Sequence, residues 1–223
     1  GGPQTVWRPL DFGDQSLFPA LDRPMNFSRA LAHLGFIVVT LDARGTPERS
    51  KAFHDVIHRN WGQFEIADHA AALRQLGKSL SFIDLERVGV WGLSWGGQFA
   101  FRAMTQEPSL YKVGICEVPA LDPYRMTLYE PYLGMPQQNS AAYAAADPFP
   151  LAAQLQGGLL LFGGLKDPFT PAGVVKISEQ VIRLGKQHRM MSYPNAGHVA
   201  TGRTGEYNME LKKCFLVEHL STK

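Results

Sequence analysis

The sequence predicts an α/β fold in which helices cover both faces of a mostly parallel sheet. The first observation is that short apolar runs alternate with longer segments of helical periodicity, the order that βαβ units need. The second is composition, since 45% of the 223 residues are hydrophobic and 19% are charged. A chain of this length and apolar content can bury the core of one globular domain, which we expect to span residues 1–223.

Five runs of apolar and β-branched residues predict the strands of this sheet. The first, over residues 35–41, is a continuous run that we expect to be buried on both faces. The others follow over residues 87–91, 112–116, 158–162 and 189–193. Reactive groups of parallel sheets gather where strands end, so a functional site is expected in the loops after these runs.

Segments of helical periodicity lie between and after the predicted strands. They predict helices over residues 64–80, 97–105, 171–184 and 206–220. Residues 122–155 are rich in Pro, Tyr and Ala and break the alternation. We expect this segment to form a helical insertion over the carboxyl edge of the sheet.

Charge and cysteine content argue against several classes of protein. Lys plus Arg number 22 against 20 for Asp plus Glu, a net charge of +2 that gives no electrostatic reason to expect nucleic acid or a membrane as partner. No apolar stretch is long enough to cross a bilayer. The 2 cysteines can form neither a disulfide framework nor a zinc site by themselves. The compartment stays open between cytoplasmic and periplasmic or secreted.

The motif Gly92-Leu93-Ser94-Trp95-Gly96 carries the strongest chemical signal. It matches G-x-S-x-G and lies directly between a predicted strand and a predicted helix. In that setting the serine occupies a sharp, strained turn, which exposes its Oγ and points the next backbone N–H at a developing oxyanion. A glycine-rich turn with an incidental serine is the alternative, but the strand before and the helix after favour a nucleophile at Ser94 and an oxyanion donor at Trp95.

An acid and then a histidine should follow such a nucleophile in chain order. Asp167 lies in the loop after the strand predicted over 158–162, and His198 lies in the loop after the strand predicted over 189–193. We therefore predict that His198 accepts the Ser94 proton and that Asp167 orients His198. A single loop Asp or His is more often a turn former or a surface residue, but the order and placement of all three favour a catalytic triad.

Other polar candidates are better explained as structural residues. His54, His58 and His69 have no accompanying acid pair, so no metal site is predicted. Glu65 and Asp68 open a predicted helix, where acids stabilise the dipole. The predicted chemistry needs no metal and no organic cofactor.

Seven segments together resemble the catalytic domain of the prolyl oligopeptidase family of serine peptidases, nearest its dipeptidyl peptidase IV branch. They are Gly1-Gly2-Pro3-Gln4, LDARG (41–45), WGQFEIAD (61–68), WGLSWGG (91–97), YLGMP (132–136), GGLKD (163–167) and YPNAGH (193–198). The resemblance implies an α/β-hydrolase fold and cleavage of short peptides, often after Pro or Ala. It also implies a β-propeller domain in the same parent chain, and it allows a homodimer.

Three departures from the family pattern concern the oxyanion hole and the substrate pocket. The family commonly has a tyrosine oxyanion donor just before the Gly-Gly-Pro loop, whereas this chain begins at Gly1. Tyr124 matches one of two tyrosines that line the proline pocket of the dipeptidyl peptidase branch, and Leu128 takes the place of the other. Phe169 stands where that branch has a substrate-binding asparagine. We expect Tyr124 and Leu128 to form an apolar pocket, with Phe169 shaping the same cleft.

The resemblance also implies a strand before the Gly-Gly-Pro loop, inside the sheet. We expect residues upstream of Gly1 in the parent protein to supply it, because its absence would leave backbone groups unpaired.

Two alternatives to a dipeptidyl-peptidase-like exopeptidase stay open at this point. A carboxylesterase or acylaminoacyl peptidase would use the same three residues, and Leu128 and Phe169 would suit acyl groups or blocked N-termini. A non-catalytic interaction domain derived from such an enzyme is the third interpretation, and the complete set Ser94, Asp167 and His198 argues against it.

Overall fold

A computed structural model describes residues 23–221 of the protein and contains one parallel sheet of four strands. The strands run in the spatial order β1 (Val88–Leu93), β2 (Tyr111–Glu117), β3 (Gly158–Gly164) and β4 (Arg189–Tyr193). Each strand pairs in parallel with the next, as in the register Trp91 with Ile115. All four strands therefore end at the same edge of the sheet.

Eight α-helices surround this sheet in the described part of the chain. They are α1 (Arg23–His33), α2 (Lys51–Asp55), α3 (Glu65–Ser79), α4 (Trp95–Gln106), α5 (Glu130–Leu133), α6 (Ser140–Ala146), α7 (Pro171–Arg183) and α8 (Gly202–Leu220). Short 3₁₀ turns add Leu85–Arg87, Thr127–Tyr129 and Phe149–Gln154. No helix among these residues is both long and apolar enough to cross a membrane.

The core lies on both faces of the sheet because side chains alternate along its strands. In β3, Leu161 packs with residues of α4 and α7 such as Met104 and Ile177. The next residue, Phe162, packs on the opposite face with Phe215 of α8. Helices on both faces of a parallel sheet are the architecture that the sequence predicts.

Four of the five predicted strands are confirmed, each within two residues of its predicted ends. The helices predicted over 64–80, 97–105 and 171–184 match α3, α4 and α7 to within two residues, while α8 begins four residues before its predicted start. Helices α1 and α2 were not predicted.

The prediction of a buried strand over residues 35–41 is wrong for the described part of the chain. Residues 36–42 have no regular secondary structure and form no ladder with any other described residue. Ile37 and Val39 are 53% and 39% exposed instead of buried on both faces. A β-branched run favours extended backbone, but it becomes a buried strand only where a neighbouring strand pairs with it. The Gly1–Gln4 motif and the predicted upstream strand lie outside the described residues.

The predicted insertion after β2 is confirmed as a set of short helices. It contains α5, α6 and two of the 3₁₀ turns. Buried side chains of its first part form a separate cluster around Trp61, and those of its last turn join the core beside α4 and α7. Tyr129 and Tyr143 belong to the Trp61 cluster and are both essentially inaccessible to solvent. The insertion is therefore a packed layer beside the start of α4, where Ser94 lies.

Candidate active site

Ser94 lies in a strained turn between β1 and α4. Its backbone has φ 60° and ψ −119°, a combination that an L-residue adopts only where the surroundings enforce it. The turn also requires glycine at position 92, because a Cβ there would lie 2.0 Å from the carbonyl oxygen of Gly96. The local geometry is that of a nucleophile elbow, as G-x-S-x-G predicts.

The end of β2 fixes the backbone of this elbow. The N–H of Ser94 donates to the carbonyl of Glu117 at 2.9 Å, and the N–H of Ala120 donates to the carbonyl of Ser94 at 3.1 Å. Trp95 begins α4, and the first N–H groups of a helix have no acceptor within that helix. Its N–H is therefore left without a partner inside the helix.

Asp167 and His198 are hydrogen-bonded to each other. Nδ1 of His198 lies 2.8 Å from Oδ2 of Asp167, whose side chain is fully buried while that of His198 is 33% exposed. Asp167 lies in the loop that follows β3, and His198 lies five residues beyond the end of β4. With Nδ1 engaged, Nε2 of His198 is the ring nitrogen left to exchange a proton with a substrate or a nucleophile.

Three donors surround the Asp167 carboxylate. Besides His198, the N–H of Phe169 donates to Oδ1 at 2.9 Å, and the hydroxyl of Thr170 donates to Oδ2. Burial raises the pKa of Asp167, but these hydrogen bonds outweigh burial and hold the pKa below its usual value. Asp167 is therefore a carboxylate at neutral pH and keeps the proton of His198 on Nδ1.

Ser94 and His198 both follow strands that end at the carboxyl edge of the sheet. Ser94 is bound to the backbone of Glu117, and a small cavity is lined by both Glu117 and His198. No hydrogen bond joins Ser94 Oγ to His198 among the described residues. Catalytic hydrogen bonds are often long in a free enzyme and tighten when substrate binds, so this geometry is compatible with a triad.

The three predicted substrate-binding residues differ in their relation to this site. Phe169 is 53% exposed, and its ring meets the imidazole of His198 edge to face at 6.4 Å. Tyr124 is 51% exposed and packs against Tyr143 of the insertion at 5.4 Å. Leu128 is exposed in the 3₁₀ turn Thr127–Tyr129, and no described contact ties it to the triad residues.

Sequence reasoning missed two supports of the site. The first is Thr170, whose hydroxyl donates to Asp167. The sequence does place this threonine three residues after the acid and just before Pro171 at the start of α7. The second is an aromatic cluster that packs the Trp95 side chain against Trp61 at 5.0 Å and Tyr132 at 5.4 Å. Its members occur in the quoted motifs, but their contact could not be read from spacing.

Within residues 23–221, no three His, Cys, Asp or Glu side chains are grouped so that they could hold a metal ion.

A family profile described as the prolyl oligopeptidase family matches residues 25–223. The chain belongs to this family. It is 32% identical over 203 residues to dipeptidyl peptidase 8 of Homo sapiens, a match that covers 86% of this chain and 22% of that protein. The protein of the same name from Mus musculus matches over the same shares. The chain thus spans about a fifth of the length of these relatives.

Two solved structures with dipeptidyl peptidase or dipeptidyl aminopeptidase names share the fold. A dipeptidyl aminopeptidase IV candidate from Bacteroides ovatus superposes with a TM-score of 0.82 at 28% identity, over 87% of this chain and 28% of that one. Dipeptidyl peptidase 4 of Porphyromonas gingivalis superposes with a TM-score of 0.76 at 27% identity, over 80% of this chain and 26% of that one. These neighbours confirm the expected α/β-hydrolase fold.

Proposed function

We propose that the protein is a serine peptidase of the dipeptidyl peptidase type, with Ser94 as nucleophile, His198 as general base and Asp167 as the residue that orients His198. The observation that carries this proposal is the 2.8 Å bond between His198 and a fully buried Asp167, at the sheet edge that also bears the strained Ser94 turn. Membership of a peptidase family supports the same chemistry.

The reaction runs through an acyl-enzyme. Ser94 Oγ attacks the scissile carbonyl carbon while Nε2 of His198 takes its proton, and the imidazolium is stabilised by the Asp167 carboxylate. His198 then gives this proton to the leaving amine, so the peptide C–N bond breaks and an ester to Ser94 remains. Water, deprotonated by His198, attacks the ester, and the proton returns to Ser94 as the acid product leaves.

The N–H of Trp95 stabilises the negative charge that forms on the carbonyl oxygen. An oxyanion donor of this kind contributes about 10²–10³-fold to kcat. In this proposal the exposed side chains of Tyr124 and Leu128 contact the residue before the scissile bond. Phe169, edge-on to His198, shapes the same cleft.

The names of the relatives favour removal of dipeptides over the other interpretations, and cleavage after Pro or Ala stays a prediction from the family resemblance. The relatives and structural neighbours reported above are named as dipeptidyl peptidases or dipeptidyl aminopeptidases, whereas none is named as an esterase, an acylaminoacyl peptidase or a non-catalytic protein. The substrate class proposed for this chain is therefore a short peptide with a free amino group.

Two partner predictions follow from the resemblance and stay predictions. The first is a β-propeller in the same parent chain, supported by the far greater length of the relatives. The second is a homodimer. Sedimentation of the full-length protein would test the homodimer, and a structure of the full-length protein would test the propeller.

The proposal is tested with three substrates offered to the full-length protein: a Gly-Pro anilide, an N-acetyl-Ala anilide and a short nitrophenyl ester. We expect rapid cleavage of the free-amine Gly-Pro substrate and loss of that activity in Ser94→Ala. Ser178→Ala is a matched control, because Ser178 also lies 2.7 Å from a histidine, His188, yet belongs to α7. Cleavage of the blocked or ester substrates alone would instead indicate an acylaminoacyl peptidase or esterase.

A further inference from the structure

Beneath the proposed triad lies a buried charged group that the reaction does not use. Glu117 ends β2 and is 6% exposed, and Lys212 of α8 is 5% exposed. Lys212 Nζ lies 2.7 Å from Oε2 of Glu117. Burying two charges costs several kcal/mol each before their attraction is counted, so an apolar pair would usually serve stability as well or better. The pair therefore calls for an explanation other than stability.

Glu117 has two further donors, from different elements. The indole Nε1 of Trp91, in β1, donates to Oε2 at 3.1 Å, and Nδ2 of Asn208, in α8, donates to Oε1. Oδ1 of Asn208 in turn accepts from the hydroxyl of Tyr193, the last residue of β4, at 3.4 Å. Burial, together with the nearby Glu117 charge, raises the pKa of Tyr193, so this phenol keeps the proton that it donates.

This network joins the strand ends that carry the proposed nucleophile and base. Its centre, Glu117, also holds Ser94 through its backbone, because its carbonyl accepts the Ser94 N–H at 2.9 Å. At the other end, the Tyr193 carbonyl accepts the N–H groups of Leu165 at 3.0 Å and Ala196 at 3.3 Å. These two residues lie two positions before Asp167 and His198. The small cavity behind His198 is lined by Glu117, Tyr193 and Asn208 as well.

We propose that Glu117, with its donors Trp91, Asn208 and Lys212, is a positioning group that aligns the Ser94 turn with the Asp167–His198 pair. The proposal rests on the proposed serine peptidase function. In this proposal the four side chains act without touching substrate, and three of them, Glu117, Asn208 and Lys212, are buried. They act by fixing the end of β2 against β1, β4 and α8, since a buried network in which every member is satisfied rigidifies the groups that it joins.

The first test is Glu117→Gln, which keeps the shape and removes the charge. The amide would turn its –NH₂ toward a donor and leave Lys212 buried without its counter-charge, so the end of β2 should shift. A misplacement of about 1 Å can cost on the order of 10²-fold in rate, and we expect kcat to fall about 10–100-fold. KM should stay within about twofold, because no substrate contact is lost.

Lys212→Met extends this test to a double-mutant cycle. It leaves the carboxylate buried without its cation and should lower kcat to a similar extent. The double variant Glu117→Gln/Lys212→Met removes both charges, and we expect it to lose no more than the worse single variant. Such non-additivity is the signature of residues that act as one unit.

The matched control is Leu220→Ala, in the same helix but at the other edge of the sheet. Leu220 is buried beside Gly89 at the start of β1. This variant should lower the midpoint of chemical denaturation while kcat stays within about twofold. The rate at which a fluorophosphonate labels Ser94 is a second readout, and we expect it to fall in Glu117→Gln and not in Leu220→Ala.

Should Glu117→Gln fail to fold, Asn208→Leu decides the question, since it leaves the Glu117–Lys212 pair intact and breaks the link to Tyr193. We expect it to lower kcat about 10-fold with KM unchanged. A kcat within twofold of the native value in every folded variant of Glu117 and Asn208 would overturn the proposal. An active Ser94→Ala protein would instead overturn the proposed function, so the two failures are distinguishable.

Discussion

Asp167→Asn is the substitution whose consequence the structure determines most fully. The carboxylate has three donors: His198 and Thr170 at Oδ2, and the Phe169 N–H at Oδ1. An asparagine that keeps oxygen at the Oδ2 position would set its –NH₂ against the Phe169 N–H, donor against donor. With the amide reversed, all three groups find partners, because Thr170 can accept and His198 can accept at Nδ1.

The reversed amide therefore predicts a specific defect. His198 would carry its proton on Nε2 and could not accept the serine proton there. The same change in a chymotrypsin-like triad lowers kcat about 10⁴-fold by imposing the wrong tautomer, and we expect a loss of that order here. This corresponds to about 5.4 kcal/mol of lost transition-state stabilisation.

The assay compares kcat for the Gly-Pro anilide in native and Asp167→Asn full-length protein, with folding checked by circular dichroism. KM should change little, because Asp167 is buried behind His198. A folded Asp167→Asn protein that retains more than a tenth of the native kcat would refute the role assigned to Asp167.

Three further predictions concern the same elements. Thr170→Val removes one charge-assisted hydrogen bond to Asp167, worth about 1.5–3 kcal/mol, and should lower kcat about 10-fold, which steady-state kinetics would show. Gly92→Ala should abolish activity and destabilise the fold by more than about 3 kcal/mol in urea titration, because its Cβ would lie 2.0 Å from the Gly96 carbonyl. The lowered pKa of Asp167 means that its contribution to stability is full above about pH 4 and is lost as pH falls through the folded-state pKa. Stability measured from pH 6 to pH 2 should therefore fall less steeply in Asp167→Asn, and equal slopes would contradict this.

The sequence was enough to predict the two central strands of the sheet because they are buried. In β2 and β3 the apolar runs reflect burial on both faces, and glycines mark the turns, so local pattern and tertiary environment agree. The run over residues 35–41 has the same composition, but composition cannot show whether a neighbouring strand is present to pair with it. That prediction was wrong because pairing is not a local property.

Residues of the candidate site likewise differ in whether a local sequence pattern could reveal them. The placement of Ser94, Asp167 and His198 after strand ends could be predicted because each follows an apolar run, and their roles stay a proposal. The contacts of Thr170 and Glu117 could not be predicted, because spacing does not reveal them. Asn208 meets Glu117 across 91 positions of sequence, and only the packing of α8 on the sheet brings them together.

Labelling with a fluorophosphonate tests the central claim most directly. The full-length protein would be treated with the probe, digested, and the modified peptide identified by mass spectrometry. We expect a single adduct on Ser94, formed much more slowly in Asp167→Asn and absent in Ser94→Ala. An unlabelled Ser94 in protein that cleaves the Gly-Pro anilide, or an adduct on a different serine, would contradict the assignment of Ser94 as the nucleophile.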